Sequence, residues 1–205
     1  MLTDKLLKTE YQNRKGIIKK RLKEFSIGSK SKDAKEKFLE LCFCLCTPQS
    51  NAARVARVIH EKNMDKLMTC EWSELSGMLR TNARFHNNKA KYIIEARKYI
   101  ADIHKLPDDS VIAREFLVKN IKGLGYKEAS HYLRNIGYRN ICIIDRHVIN
   151  LMHELKVFKS NNPPKNPKEY LSMEQKVKDY AKKIKIDVDE LDLLLWSIKT
   201  GFVFK

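Results

Sequence analysis

Midway along the chain, two stretches of helical periodicity meet at Ile121-Lys122-Gly123-Leu124-Gly125-Tyr126-Lys127-Glu128-Ala129-Ser130. Phe116 to Ile121 ends one helix and Tyr126 to Ile136 starts the next, so the glycine pair must turn the chain in three residues. That turn is too tight for side chains with a Cβ, and glycines can take the positive φ it asks for. The product is a helix-hairpin-helix. The first N–H groups of its second helix point outward with the positive end of the helix dipole, and bare glycines let an anionic oxygen reach the backbone. Gly123, Leu124, Gly125 and Tyr126 therefore form an anchor for one backbone phosphate of a nucleic acid, indifferent to base sequence.

The rest of the chain agrees with helices throughout. No alternating apolar run is long enough to build a sheet, which predicts an all-α fold. Leu7, Tyr11, Ile18, Leu22 and Phe25 make one apolar stripe, ending at Ile27-Gly28-Ser29. Asp33 with Glu36 reads as a capping box for a helix carrying Phe38, Leu41, Cys42 and Leu45, stopped by Pro48. Shorter helices are expected from Ala52 and over Glu71 to Leu79, then a longer one with Ile93, Ala96, Ile100 and Ile103 inward. Another runs from Ser110 to Asn120. After Asp145, Val148, Leu151, Met152 and Leu155 repeat at helical spacing. Lys159 to Pro167 holds three of the five prolines and reads as a surface connection. Two last helices follow, capped by Ser172 with Gln175 and by Asp187 with Glu190.

At 205 residues the chain buries a core without disulfides. Its cysteines are Cys42, Cys44, Cys46, Cys70 and Cys142, an odd number in a chain with no signal peptide and no long apolar run. This fits a reduced cytosol and no membrane. Cys42, Cys44 and Cys46 point to alternating sides of a helix and do not close round one metal, and the histidines show no ligand spacing, so no metal site is expected. The 41 Lys and Arg against 25 Asp and Glu give +16, a strong bias toward a polyanion. Charge alone does not separate DNA from RNA, or an enzyme from a packing protein; the hairpin makes that separation.

Two residues near the hairpin carry chemistry. Lys127 lies in the first turn of the second helix, where the local positive field and basic neighbours favour a neutral amine, and a neutral amine is a nucleophile. Asp145 follows the apolar run Ile141-Cys142-Ile143-Ile144 and precedes a helix, which it can cap while still presenting a carboxylate. A cap alone explains an aspartate there, and a binding-only hairpin explains a lysine that touches phosphate. The lysine, aspartate and hairpin together favour catalysis.

Gly-Leu-Gly-Tyr-Lys-Glu-Ala at 123 to 129, with Asp145 downstream, resembles the helix-hairpin-helix DNA glycosylase superfamily of endonuclease III. The resemblance implies that Lys127 attacks C1′ of a damaged nucleotide and that Asp145 assists. Within the superfamily the chain most resembles, over nearly its whole length, the small archaeal-type 8-oxoguanine DNA glycosylase and AP lyase. Cys46-Thr47-Pro48-Gln49-Ser50, residues 123 to 130, Ile144-Asp145-Arg146-His147 and the ending from Trp196 to Lys205 carry this likeness. It implies one domain over 1–205 with two helical lobes, about 33–103 with the chain ends and about 104–158, and the active site in the cleft between them. Iron-sulfur members carry four cysteines near the C-terminus; none follows Cys142 here, so no cluster is expected.

The resemblance also gives tasks to two loops and the tail. Gln49 and Ser50 match a loop that faces the DNA, where an ordinary polar connection is the other reading. Phe85 matches a second such loop, where an apolar side chain enters the stack, though an aromatic before a helix also serves as a hydrophobic staple. Arg84, Lys89 and Lys91 contact phosphates in the first reading and are solvated in the second. Trp196 and the chain end at Lys205 help to form a base pocket. No cofactor is expected beyond a monovalent cation that the hairpin carbonyls can take when DNA is bound. The implied partner is double-stranded DNA containing oxidised guanine, met by a monomer in the cytoplasm near the nucleoid. An endonuclease III-like lyase for oxidised pyrimidines and a non-catalytic helix-hairpin-helix DNA-binding protein are the alternatives.

Overall fold

Capping and apolar stripes place the helices. A computed structural model describes residues 2–31 and 33–203, without the side chains of 28–31. The described residues form α-helices and short 3₁₀ turns and contain no strand. In chain order the helices are α1 (Asp4–Ser31), α2 (Ala34–Cys46), α3 (Ala52–Val58), α4 (Met64–Thr69), α5 (Trp72–Leu79), α6 (His86–Ala96), α7 (Ile100–His104), α8 (Ser110–Asn120), α9 (Tyr126–Asn135), α10 (Arg146–Glu154), α11 (Pro167–Ile184) and α12 (Val188–Thr200). No helix is long and apolar enough to cross a membrane among the described residues.

By contacts the chain divides into Ser29–Ile136 and a unit made of Met1–Gly28 with Gly137–Lys205. This differs from the lobes expected, since the hairpin helices belong with α2 rather than with the Asp145 helix. In the first unit α2 begins at the Asp33–Glu36 capping box, and every residue from Glu40 to Cys46 is buried. A helix covered on all sides is the centre of its unit, and α2 packs against α6, α7 and α9. The alternating sides of Cys42, Cys44 and Cys46 are thus all interior, and these thiols are free. Asn135 Nδ2 on α9 donates to Glu40 Oε1 on α2 at 2.8 Å, a buried polar tie that orients the hairpin's second helix.

The helix expected to carry Ile93, Ala96, Ile100 and Ile103 is interrupted by a 3₁₀ turn at Arg97–Tyr99. There Arg97 reaches the end of α4, donating from Nε to the Leu67 carbonyl at 2.9 Å and from Nη2 to that of Cys70 at 2.8 Å. Helix α4 itself buries only Leu67, too little for its periodicity to be read.

In the second unit the expected stripe of α1 is buried. Tyr11 donates its hydroxyl to Glu190 on α12, and Tyr180 on α11 donates to Asp4 Oδ1 at 2.8 Å. Helix α11 starts earlier than Ser172. Asn166 accepts from Glu169 N at 2.9 Å, with Pro167 at the first helical position, where its missing N–H and preset φ suit a helix start.

Candidate active site

The hairpin is built by one steric demand. Gly123 has φ +92°, and a Cβ placed there would lie 2.4 Å from the Tyr92 ring on α6, so both backbone and space require glycine. Leu124 buries its side chain and closes the turn through Leu124 N to Ile121 O at 3.2 Å. Gly125 differs from the expectation. Its φ of −88° and ψ of −176° are extended, and its task is to begin α9 without a side chain. The Tyr126 hydroxyl donates to Glu115 on α8 at 2.7 and 2.8 Å, bracing the two hairpin helices.

Lys127 occupies the second position of α9 with 41% of its side chain exposed, so the amine is open to a substrate. Its ion-pair partner is a carboxylate, Glu128 Oε1 at 3.3 Å. That carboxylate also fills the space beside Gly125, where an added Cβ would meet Glu128 Oε2 at 3.2 Å.

Asp145 caps α10. Its Oδ1 accepts the N–H groups of His147 and Val148, both at 2.8 Å, and Oδ2 takes no hydrogen bond among the described residues. The residue is half-buried, so the carboxylate is oriented by one oxygen and offers the other. The apolar run before it lies in neither a helix nor a strand, and its backbone donors must find partners elsewhere. Carboxylates and a phenol supply them. Asp189 accepts from Asn140 N at 3.0 Å and Ile141 N at 3.3 Å, and Glu174 accepts from Cys142 N at 3.1 Å. Asp192 accepts from Ile143 N at 2.9 Å, and the Tyr170 hydroxyl from Ile144 N at 3.2 Å. Burial pushes the Asp189 carboxyl up to about 6, against the pull of its two backbone donors. These acceptors, absent from the sequence reading, are what aim Asp145.

Gln49 and Phe85 are both exposed and both left-handed, with φ of 54° and 57°. Phe85 is 53% exposed, which rules out the buried contact of a hydrophobic staple. Ser50 turns inward, its Oγ accepting from Arg84 N at 2.9 Å. Lys89 corrects both readings made for it, being neither solvated nor free for phosphate. It is 4% exposed, with Nζ donating to the carbonyls of Cys46 and Pro48 and to Ser50 Oγ at 2.8, 2.7 and 2.8 Å. Arg84 lies over the Phe85 ring at 5.5 Å and Lys91 over the Trp72 ring at 5.8 Å. Trp196, half-buried on α12, meets the exposed ring of Phe202 edge-on at 5.8 Å. Lys205 lies outside the described residues.

Residues 18–186 match the sequence profile of a helix-hairpin-helix family described as 8-oxoguanine DNA glycosylase. The chain belongs to this family. Among its relatives, 8-oxoguanine DNA glycosylase/AP lyase of Methanocaldococcus jannaschii is 38% identical over 100% of both chains. That of Fusobacterium nucleatum is 40% identical, over 95% of this chain and 94% of its own. The crystal structure of the Thermotoga maritima 8-oxoguanine DNA glycosylase superposes with a TM-score of 0.91 at 30% identity, covering 98% of each chain. The M. jannaschii enzyme in complex with a 15mer DNA containing 8-oxoguanine superposes with a TM-score of 0.87 at 37% identity, over 98% of this chain and 99% of that one.

Proposed function

We propose that this member of the family removes 8-oxoguanine from double-stranded DNA and then cuts the strand, as a monomer. It is a DNA N-glycosylase with AP lyase activity. The observation that carries the residue assignment is Lys127 itself: an open amine in the first turn of the helix that a phosphate-anchoring hairpin introduces. A hairpin that only bound DNA would need no nucleophile there.

A base inside a duplex must leave the stack before C1′ is reached, at a cost of a few kcal/mol. Phe85 and Gln49 enter the space it vacates, and Trp196 offers a face on which the flipped base stacks. 8-Oxoguanine carries an N–H at N7 where guanine has an acceptor, so an acceptor set against N7 rejects guanine by leaving two acceptors facing each other. Gln49, a backbone carbonyl and the terminal carboxylate of Lys205 are the groups able to supply it. The hairpin holds a neighbouring phosphate through the backbone of Gly123 to Tyr126, with a monovalent cation on its carbonyls in the complex.

Lys127 attacks as a neutral amine. The bond from Nζ to C1′ forms as the glycosidic bond breaks, and the base leaves with that electron pair and a proton. The free Asp145 oxygen stabilises positive charge developing on the sugar and assists removal of the lysine proton. Opening of the sugar ring gives a Schiff base at C1′. Loss of a C2′ proton then expels the 3′ phosphate, and hydrolysis returns Lys127.

Borohydride reduction tests this by trapping the Schiff base. A covalent adduct is expected with duplexes carrying 8-oxoguanine and none with Lys127→Gln, which still binds DNA. Trapping only on an oxidised pyrimidine would move the protein to endonuclease III-like chemistry. No adduct on either lesion or on an abasic site would leave binding without catalysis.

A further inference from the structure

Lys89 is a buried cation to which this chemistry assigns no part, and its surroundings are specific. Its ammonium has three donors, and all three are used: by Cys46 O, Pro48 O and Ser50 Oγ. Cys46 ends α2, where the last carbonyls lack intrahelical partners and the dipole is negative. Pro48 and Ser50 flank Gln49. Ser50 Oγ is also the acceptor for the N–H of Arg84, the residue before Phe85. One ammonium thus joins the end of the central helix, the Gln49 loop and the Phe85 turn. The far side of that turn is pinned as well, with Trp72 Nε1 donating to Asn87 O at 3.1 Å and Ser76 Oγ to Asn87 Oδ1 at 2.6 Å.

The conformations held this way are unfavourable ones. A left-handed backbone crowds the Cβ of any residue but glycine, and Gln49 and Phe85 both adopt that conformation. Such strain persists where the surroundings over-determine it. The lysine pays too: burial lowers its pKa from the ordinary value, with Arg84 acting in the same direction and Cys46 against. A core position needing only volume would take an apolar side chain at no such cost.

We propose that Lys89 is a positioning residue for base flipping, its ammonium locking the Gln49 loop and the Phe85 turn into one rigid wedge that enters the duplex at the lesion. This rests on the reading that Gln49 and Phe85 enter the duplex. A wedge that yields on contact does less toward opening the stack, so loss of the lock falls hardest on lesions that must still be flipped.

The test is single-turnover excision of 8-oxoguanine from a fully paired duplex and from a duplex whose lesion sits in an unpaired bubble. Lys89→Met keeps length and removes the donors; Phe85→Ala tests the wedge itself. Both are expected to lower the paired-to-unpaired rate ratio by about tenfold, since only the paired substrate must still be unstacked and flipped. A ratio unchanged in Phe85→Ala overturns the wedge reading. A ratio lowered in Phe85→Ala but unchanged in Lys89→Met, with both substrates slowed alike, overturns the role of Lys89 alone. Should Lys89→Met not fold, Ser50→Ala decides. It removes the hydroxyl that joins Lys89 Nζ to Arg84 N and leaves Lys89 its two carbonyl partners, so a lowered ratio supports the lock and an unchanged ratio overturns it.

Discussion

Helices α9 and α10 begin in opposite ways. Helix α9 starts at Gly125, which has no side chain to cap it, while α10 starts at Asp145, whose Oδ1 closes two N–H groups at 2.8 Å. An uncapped start keeps backbone donors for an anion from outside, whereas a capped one satisfies them internally and gains about 1 kcal/mol. The supports differ in the same sense. Gly123 holds the α9 turn by sterics against Tyr92, and the segment leading into α10 hangs from Asp189, Glu174, Asp192 and Tyr170. One start is made to receive a charge, and the other is made to aim one.

The largest effect expected separates cap from catalyst at Asp145. Asparagine caps as well as aspartate, so Asp145→Asn keeps the start of α10 closed and removes only the charge. Excision should fall by about a hundredfold or more, the scale of losing one preorganised electrostatic group. The unfolding free energy should move by less than about 0.5 kcal/mol. Asp145→Ala should show the same loss of rate and lose about 1 kcal/mol of stability as well. Equal rates for Asp145→Asn and the parent enzyme in single-turnover assays would reduce Asp145 to a cap.

The second effect comes from the charged support of α10. Below about pH 4 the Asp189 carboxyl is protonated folded or unfolded. As pH rises toward its folded value of about 6 the native chain keeps a proton the unfolded chain has lost. Native stability contributed by this group is therefore complete below the unfolded pKa and is lost as pH passes about 6, by up to about 3 kcal/mol. Urea unfolding of wild type and Asp189→Asn from pH 4 to 7 measures it: wild type should lose stability relative to the variant over that window. Parallel curves would mean the burial does not shift the group. The sterically held start of α9 contributes no such slope.

This contrast was half legible in the residues. The glycine pair, the helix starting at Tyr126 and the aspartate before α10 are local features, and local chemistry announced them. The supports are long-range, yet several left a trace. Lys89 shares a stripe with Ile93 and Ala96, Glu174 with Tyr170 and Val177, and Asp192 with Leu195, so each charge stands among buried neighbours. A charged residue at an interior position signals a polar partner, but not which one. Which glycine takes positive φ was not legible either, since both are permissive and only the Tyr92 ring distinguishes them. Prolines misled at α11, where Asn166-Pro167 with Glu169 is a start signal inside a segment that otherwise reads as a connection.

The smallest effect expected converts one start into the other. Gly125→Ser places an N-cap hydroxyl on α9 without asking for positive φ, because Gly125 is already extended. Its Cβ meets only the end of the Glu128 side chain, at 3.2 Å, which can move aside. Serine and glycine differ as caps by a few tenths of a kcal/mol, so stability should hardly change. The hydroxyl would now accept the N–H that a phosphate would otherwise take. Binding to undamaged duplex should weaken by a few fold, and the slope of log affinity against log salt should become shallower by about one, as when one phosphate contact is lost. An unaltered slope would mean that the lysines and arginines around the hairpin, and not its backbone, make that contact. The difference between the two helix starts would then lie in Lys127 and Asp145 alone.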